Sequence, residues 1–324
     1  VDTTSDPNNC GTCGNVCPDS LDCASSTCDC PDQEWARWSF DASPTYASGG
    51  TAQLPTVTDS VTGLVWQQSP IMAGGSPGAF LWTDAMNQCA ALGTGWHLPT
   101  RIEALSIVDY SRFNPAVDSA AFPMIPAESF WTSSPAAGEW GNAANPPAEV
   151  WVVDYYKGYA QTYSLGTPAP CTNGGFCLFV LCVQTNCTPS PAAPEPTTAP
   201  PDLYSVSTNT VTDRRTGLTW QRNVDSTQHL SQQGASLYCS TYQGTHELWR
   251  LPTIDEINTL VDVGVTSGPM IDQTAFPGTP IGKYWTSTPD AANAPDLWGM
   301  DFGSGFANGV PPTATSLFTR CVHN

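Results

Sequence analysis

Cysteine is the residue type with the widest chemical reach in this chain: thirteen stand among 324 residues. A thiolate can be a nucleophile, a metal ligand or half of a crosslink. Zinc binding would want histidines at ligand spacing beside the cysteines. His97, His229, His246 and His323 are scattered and form no such pattern. The Cys10-x-x-Cys13 pair has neither a following helix pattern nor a histidine to make it a redox or zinc motif. So many thiols do not suit a reducing compartment unless metals hold them. The reading is therefore disulfides in an exported, extracellular or cell-surface chain.

Acidic side chains are the other candidates. Glu103 and Glu256 could be paired catalytic carboxylates, yet Thr100-Arg101-Ile102-Glu103 and Thr253-Ile254-Asp255-Glu256 are both capping boxes, which explain them without catalysis. Asp154 and Asp301 recur at one place in a repeat, where a cation site or a turn-forming hydrogen bond would each account for them. No Ser/His/Asp, Cys/His or metal constellation recurs, and no phosphate-cradling loop appears. The chain reads as non-enzymatic and without a cofactor. Calcium stays open, with no recognisable motif for it.

The elements that would hold these residues occur twice. Val57-Thr58-Asp59-Ser60-Val61-Thr62-Gly63-Leu64-Val65-Trp66-Gln67 returns as Val211-Thr212-Asp213-Arg214-Arg215-Thr216-Gly217-Leu218-Thr219-Trp220-Gln221, 154 residues later. Trp96-His97-Leu98-Pro99-Thr100 returns as Trp249-Arg250-Leu251-Pro252-Thr253, and Phe130-Trp131-Thr132-Ser133 as Tyr284-Trp285-Thr286-Ser287. This is a tandem duplication, each copy large enough for a core of its own. In each copy the opening block reads as a hairpin arm turning at Gly63 or Gly217. A first helix follows, capped by Thr83 with Met86, Cys89 and Ala90 on one face, or by Ser231 ahead of Gly234, Leu237, Tyr238 and Cys239. The capping box opens a second helix. Short aromatic strands come next, around Trp131, Trp151, Trp285 and Trp298, and a last strand closes each copy.

That alignment sorts the cysteines. Cys89 matches Cys239 on the first helix, and Cys182 matches Cys321 on the last strand. The second copy has no others, so Cys239–Cys321 is forced in an oxidised domain, and Cys89–Cys182 follows by symmetry. Cys171 and Cys177 belong to an insertion that only the first copy has, and a local bridge is expected there. Cys187 is left to pair with the N-terminal cluster, stay free or join two chains.

The resulting map has five parts. Residues 1–34 form a knot in which six cysteines stand in for a core. Residues 35–55 connect it to the first repeat, with Trp35, Trp38 and Phe40 packing on that repeat, in a short strand at most. The first repeat spans 56–187. Residues 188–202 are a Pro/Thr/Ala linker, extended and semi-rigid, which would hold the repeats apart or lie along one of them. The second repeat spans 203–324. No signal peptide is present in the sequence, and Val1 is expected to be the start of a processed form. No apolar run approaches the roughly 20 residues of a membrane span.

The formal charge is −19, from 29 acidic and 10 basic residues. Nucleic acid and anionic membranes would be repelled over most of such a surface. Cations or a neutral glycan are easier partners. Only 12 % of residues are charged, which suits a loop-rich extracellular α+β protein.

The order of hairpin arm, Cys helix, Trp-x-Leu-Pro-Thr helix, Trp-Thr-Ser strand, Trp-x-x-Asp and final Cys-Val resembles one bacterial family. It is similar to the C-terminal domain of Legionella collagen-like adhesin over residues 56–185 and 208–324. The N-terminal knot resembles Cys-rich segments near the start of exported bacterial proteins. The resemblance implies an α+β fold of two tandem C-type lectin-like domains, each with two helices and a small twisted antiparallel sheet. It implies surface attachment and recognition of a glycan or a surface protein. In such folds the binding surface lies on long loops between the middle strands, here about 135–159 and 289–308. Candidate ligand-binding residues there are Trp140, Asn142, Asp154, Tyr155, Tyr156, Lys157, Tyr159, Asp301 and Asn308, a mix suited to stacking and hydrogen bonding. No Glu-Pro-Asn or Trp-Asn-Asp calcium-sugar motif is present. The other function that fits is a structural subunit assembling head-to-tail into a fibre or surface layer, favoured by the odd cysteine and the stiff linker.

Overall fold

The computed structural model describes residues 34–40, 42–136, 146–165, 177–185, 199–200, 203–242 and 248–324, with the backbone of 22–24 and 27–29. Cys187, most of the linker and nearly all of the cysteine knot lie outside these residues. Within the knot, Asp22–Ala24 and Thr27–Asp29 pair antiparallel and set Cys23 opposite Cys28.

The chain is α+β, with four short helices among the described residues and several small, mostly antiparallel sheets. Each repeat opens on a meander. Tyr46–Gly50 pairs with Pro55–Asp59, which pairs with Val65–Gln67; Tyr204–Val206, Thr210–Asp213 and Thr219–Gln221 repeat the plan. The closing strand docks on the meander's third strand, Val183 opposite Trp66 and Val322 opposite Trp220. Each repeat therefore brings its beginning and its end together. A second sheet carries the hairpin Glu149–Asp154 with Tyr159–Ser164, or Leu297–Asp301 with Phe306–Val310.

Both long-range disulfides form as the alignment requires. Cys89–Cys182 and Cys239–Cys321 span 93 and 82 residues, and all four cysteines are fully buried. Cys177 is disulfide-bonded, and its expected partner Cys171 lies outside the described residues. Around each long bridge sits a private core: Trp82, Trp96, Trp131 and Val152 in the first repeat, Trp249, Trp285 and Leu317 in the second.

Helix α1 (Trp82–Ala90) starts ahead of its expected cap. Trp82 is buried and donates its indole N–H to the Thr132 carbonyl at 2.8 Å, which draws the first turn forward and puts Thr83 inside the helix. The buried stripe is accordingly Trp82, Ala85 and Cys89 rather than Met86, Cys89 and Ala90. Helix α2 (Arg101–Ser106) has the expected capping box. Helix α3 (Gln232–Ser240) is capped by Ser231, but it buries Ala235 and Cys239 while Leu237 faces solvent. Helix α4 (Ile254–Asn258) has the second capping box. Glu103 and Glu256 also hold His97 at 3.1 Å and Arg250 at 2.7 Å, so both carboxylates are structurally committed. Thr253→Ala should cost about 1 kcal/mol in urea denaturation, the usual worth of such a cap.

The connector does not form a strand over 35–40. Glu34, Trp35 and Ala36 are buried, and Glu34 accepts a hydrogen bond from Ser134 Oγ at 2.6 Å, which pins the chain by side chains instead of a ladder.

The two repeats pack against each other. One hydrophobic core runs through both, from Trp66, Phe130 and Trp151 to Trp220, Phe276 and Trp298. The contact is reciprocal. Trp151 meets Phe306 edge-on at 5.6 Å, and Trp298, the counterpart of Trp151, lies 6.5 Å from Tyr159, the counterpart of Phe306. Helix α2 touches α4. There the buried Arg101 donates to Asn258 Oδ1 at 2.6 Å and covers the Trp151 ring at 5.0 Å. Burial pushes the Arg101 pKa down to about 10, with Tyr110 and Glu34 opposing it.

Candidate functional site

The reciprocal packing leaves a groove of about 600 Å³ where the two hairpins meet. The first repeat contributes the turn joining Glu149–Asp154 to Tyr159–Ser164. Asp154 builds that turn: its Oδ1 accepts the amides of Tyr156 at 2.8 Å and Lys157 at 3.3 Å, and its Oδ2 accepts from Ser129 Oγ at 3.2 Å. Gly158 completes it at φ +89°, with Val108 packed so close that a side chain has no room. Asp301 builds the equivalent turn, accepting from the Gly303 amide at 2.7 Å. Both aspartates thus make turn-forming hydrogen bonds.

The turn dictates which side chains face the groove. Tyr156 points outward, 42 % exposed, with Lys157 beside it. Tyr159 enters the next strand and tilts against Trp298. Burial, and then the charge of Asp154, pushes the Tyr159 pKa up, so its hydroxyl stays a donor at neutral pH. Opposite stand Trp298, Phe306 and Asn308, with Gln161 on the near wall. The groove thus combines aromatic faces, amides, one ammonium and the acids Glu128 and Asp154. Such a surface can stack on a flat apolar face while hydrogen-bonding its polar rim.

Five of the expected residues, Asp154, Tyr156, Lys157, Tyr159 and Asn308, line this one groove. Tyr155 does not. It is 1 % exposed, packs 4.9 Å from Phe130 and donates to the Ala104 carbonyl at 2.9 Å, because it is the first residue of the turn after Asp154 and enters the core there. Asp301 stands outside the groove's lining, in its own turn. Trp140 and Asn142 lie outside the described residues. Gln161, Trp298 and Phe306 also line the groove, beyond the residues expected from sequence. Their signal lies in the repeat: Trp298 and Phe306 are the counterparts of Trp151 and Tyr159, and a reciprocal contact involves all four.

Among the described residues, no three His, Cys, Asp or Glu side chains are gathered where they could hold a metal ion. No described helix is long and apolar enough to cross a membrane.

The family model described as the Lcl C-terminal domain matches residues 55–171 and again residues 209–323. No curated protein matches the chain.

Proposed function

Because the chain belongs to the family of the Lcl C-terminal domain and carries that domain twice, we propose that it is an adhesin-like surface protein whose inter-repeat groove recognises a ligand, with a neutral glycan the ligand best suited to it. The observation that carries this reading is the groove itself, where Tyr156, Tyr159 and Trp298 offer ring faces beside Lys157, Gln161 and Asn308. Sugars present one apolar face and a rim of hydroxyls, which is the complement of that arrangement. Its volume of about 600 Å³ lies within the range of small-ligand sites. The net charge of −19 disfavours polyanionic glycans.

The bacterial adhesin-like family, the two long-range disulfides and the want of a long apolar helix among the described residues all fit an oxidising, extracellular location. The docking of the closing strand on the opening meander of each repeat supports a kinship with lectin-like folds. We read the groove as non-enzymatic and independent of calcium, since Asp154 and Asp301 are engaged in turns.

A glycan array probed with the whole chain tests this. Binding to at least one neutral glycan is expected. Tyr156→Ala and Asn308→Ala should each weaken a hit by about tenfold, or about 1.4 kcal/mol. Both side chains are exposed, so melting temperature should stay put. A chain that ignores every sugar, or a hit untouched by both variants, would remove the groove from consideration.

A further inference from the structure

A second concave site lies under the connector, away from the groove. It encloses about 310 Å³ and is walled by Trp38 and Phe40 of the connector, by Asp59 and Val61 of the first repeat's opening turn, and by Asp255 at the start of α4. Glu256 also lines it, but that carboxylate is held by Arg250 and by the Thr253 amide. Asp59 is 0 % exposed. Its Oδ1 accepts the turn amides of Val61 and Thr62, while its Oδ2 is buried with no hydrogen-bond partner. A buried carboxylate oxygen left without a donor is costly, and a cation is the natural remedy. Every lysine and arginine of the chain lies among the described residues, and none lines this pocket.

The second repeat shows what the first lacks. Asp213 is the counterpart of Asp59 and makes the same turn, accepting the amides of Arg215 and Thr216. Burial pushes both carboxyl pKa values up, and turn hydrogen bonds pull both down, but at Asp213 the charge of Arg215 pulls as well. The first repeat has Val61 at that place. The second difference runs the other way: α4 carries Asp255 where α2 carries Ile102. The connector pocket therefore has one more acid and one fewer cation than the equivalent place in its sibling. Burial, followed by the charges of Glu256 and Asp109, pushes the Asp255 pKa up to about 7, as expected of an acid with no cation beside it.

We propose that this pocket binds a guanidinium carried on a short aliphatic stem, the charge seated between Asp59 and Asp255 and the stem between Trp38 and Phe40. A guanidinium offers planar paired donors to a carboxylate and stacks on aromatic faces, so both walls are used. A bare metal ion fits less well, since the described residues gather no three metal-ligating side chains anywhere.

The test is calorimetric titration of the whole chain at about pH 8, above the ordinary and the raised carboxyl range, with butylguanidine and its neutral isostere butylurea. Butylguanidine should bind saturably and at least about tenfold more tightly than butylurea. Asp255→Ile, which installs the sibling's residue, should weaken binding by about tenfold, and Asp59→Asn should do the same. Val61→Arg supplies the missing guanidinium from within; it should abolish binding and raise the melting temperature, which keeps the test independent of any variant that folds poorly. A capped Gly-Arg-Gly peptide that binds more tightly than butylguanidine assigns the cation to a protein partner, and the reverse order assigns it to a free small molecule. No saturable binding, equal binding of butylurea, or undiminished binding by Val61→Arg overturns the proposal. Lys157→Ala, in the groove, should leave this titration unchanged, so the pocket and the groove stand or fall separately.

Discussion

Replacing Cys239 and Cys321 together by alanine is expected to destabilise the chain by about 4.5 kcal/mol, from the entropy of an unfolded loop 82 residues long. The matching pair, Cys89 and Cys182, closes 93 residues and should cost about as much. The logarithm makes these nearly equal despite different lengths. Each bridge belongs to a private core, so alanine also removes buried sulfur from the cluster that holds Trp131 and Val152, or from the one that holds Trp285 and Leu317. Chemical denaturation of each double variant, with protein concentration fixed, measures the loss. A penalty under about 1 kcal/mol would mean that the unfolded chain is already compact enough to make the crosslink redundant.

Trp151→Ala should cost about 3–5 kcal/mol, the usual range for deleting a buried tryptophan. Its ring is 0 % exposed and stands between the repeats, under Arg101 and against Phe306. Gly305 passes so close that any side chain there would strike the same ring. The larger effect should be on cooperativity. With the shared core intact, differential scanning calorimetry should show one transition. Removing Trp151 should split it into two, because each repeat keeps its own disulfide and private core. Trp131→Ala is the control: it empties a private core of the first repeat and leaves the shared one alone. Two transitions in the parent chain would contradict the coupling.

Much of this architecture could be read from residue order because it rests on local rules. The capping boxes are four-residue patterns, and both form. The disulfides follow from aligning two copies of which one has only two cysteines. The association of the repeats was not legible, since Trp151 and Trp298 would be buried whether they faced their own helices or the sibling's. Nothing in alternating hydrophobicity names the neighbour. The burial of Tyr155 is hidden in the sequence for a related reason. In Asp154-Tyr155-Tyr156-Lys157-Gly158-Tyr159 the aromatics look equivalent, and only the turn built by Asp154 sends Tyr155 inward and Tyr156 outward. In sequence, Asp59 is one more residue of the repeated opening block. Its stranded second oxygen is visible only with the connector folded over it.

Two separate chains meeting in this reciprocal way would have to accept every substitution on both sides at once. Covalent fusion lifts that obligation. Lys157 answers to Ser304, Val61 to Arg215 and Asp255 to Ile102, and each exchange is confined to one half. A scaffold whose geometry is that of a symmetric couple can thereby acquire features of which it holds a single example, and its two halves are free to drift toward different tasks while each still props up the other.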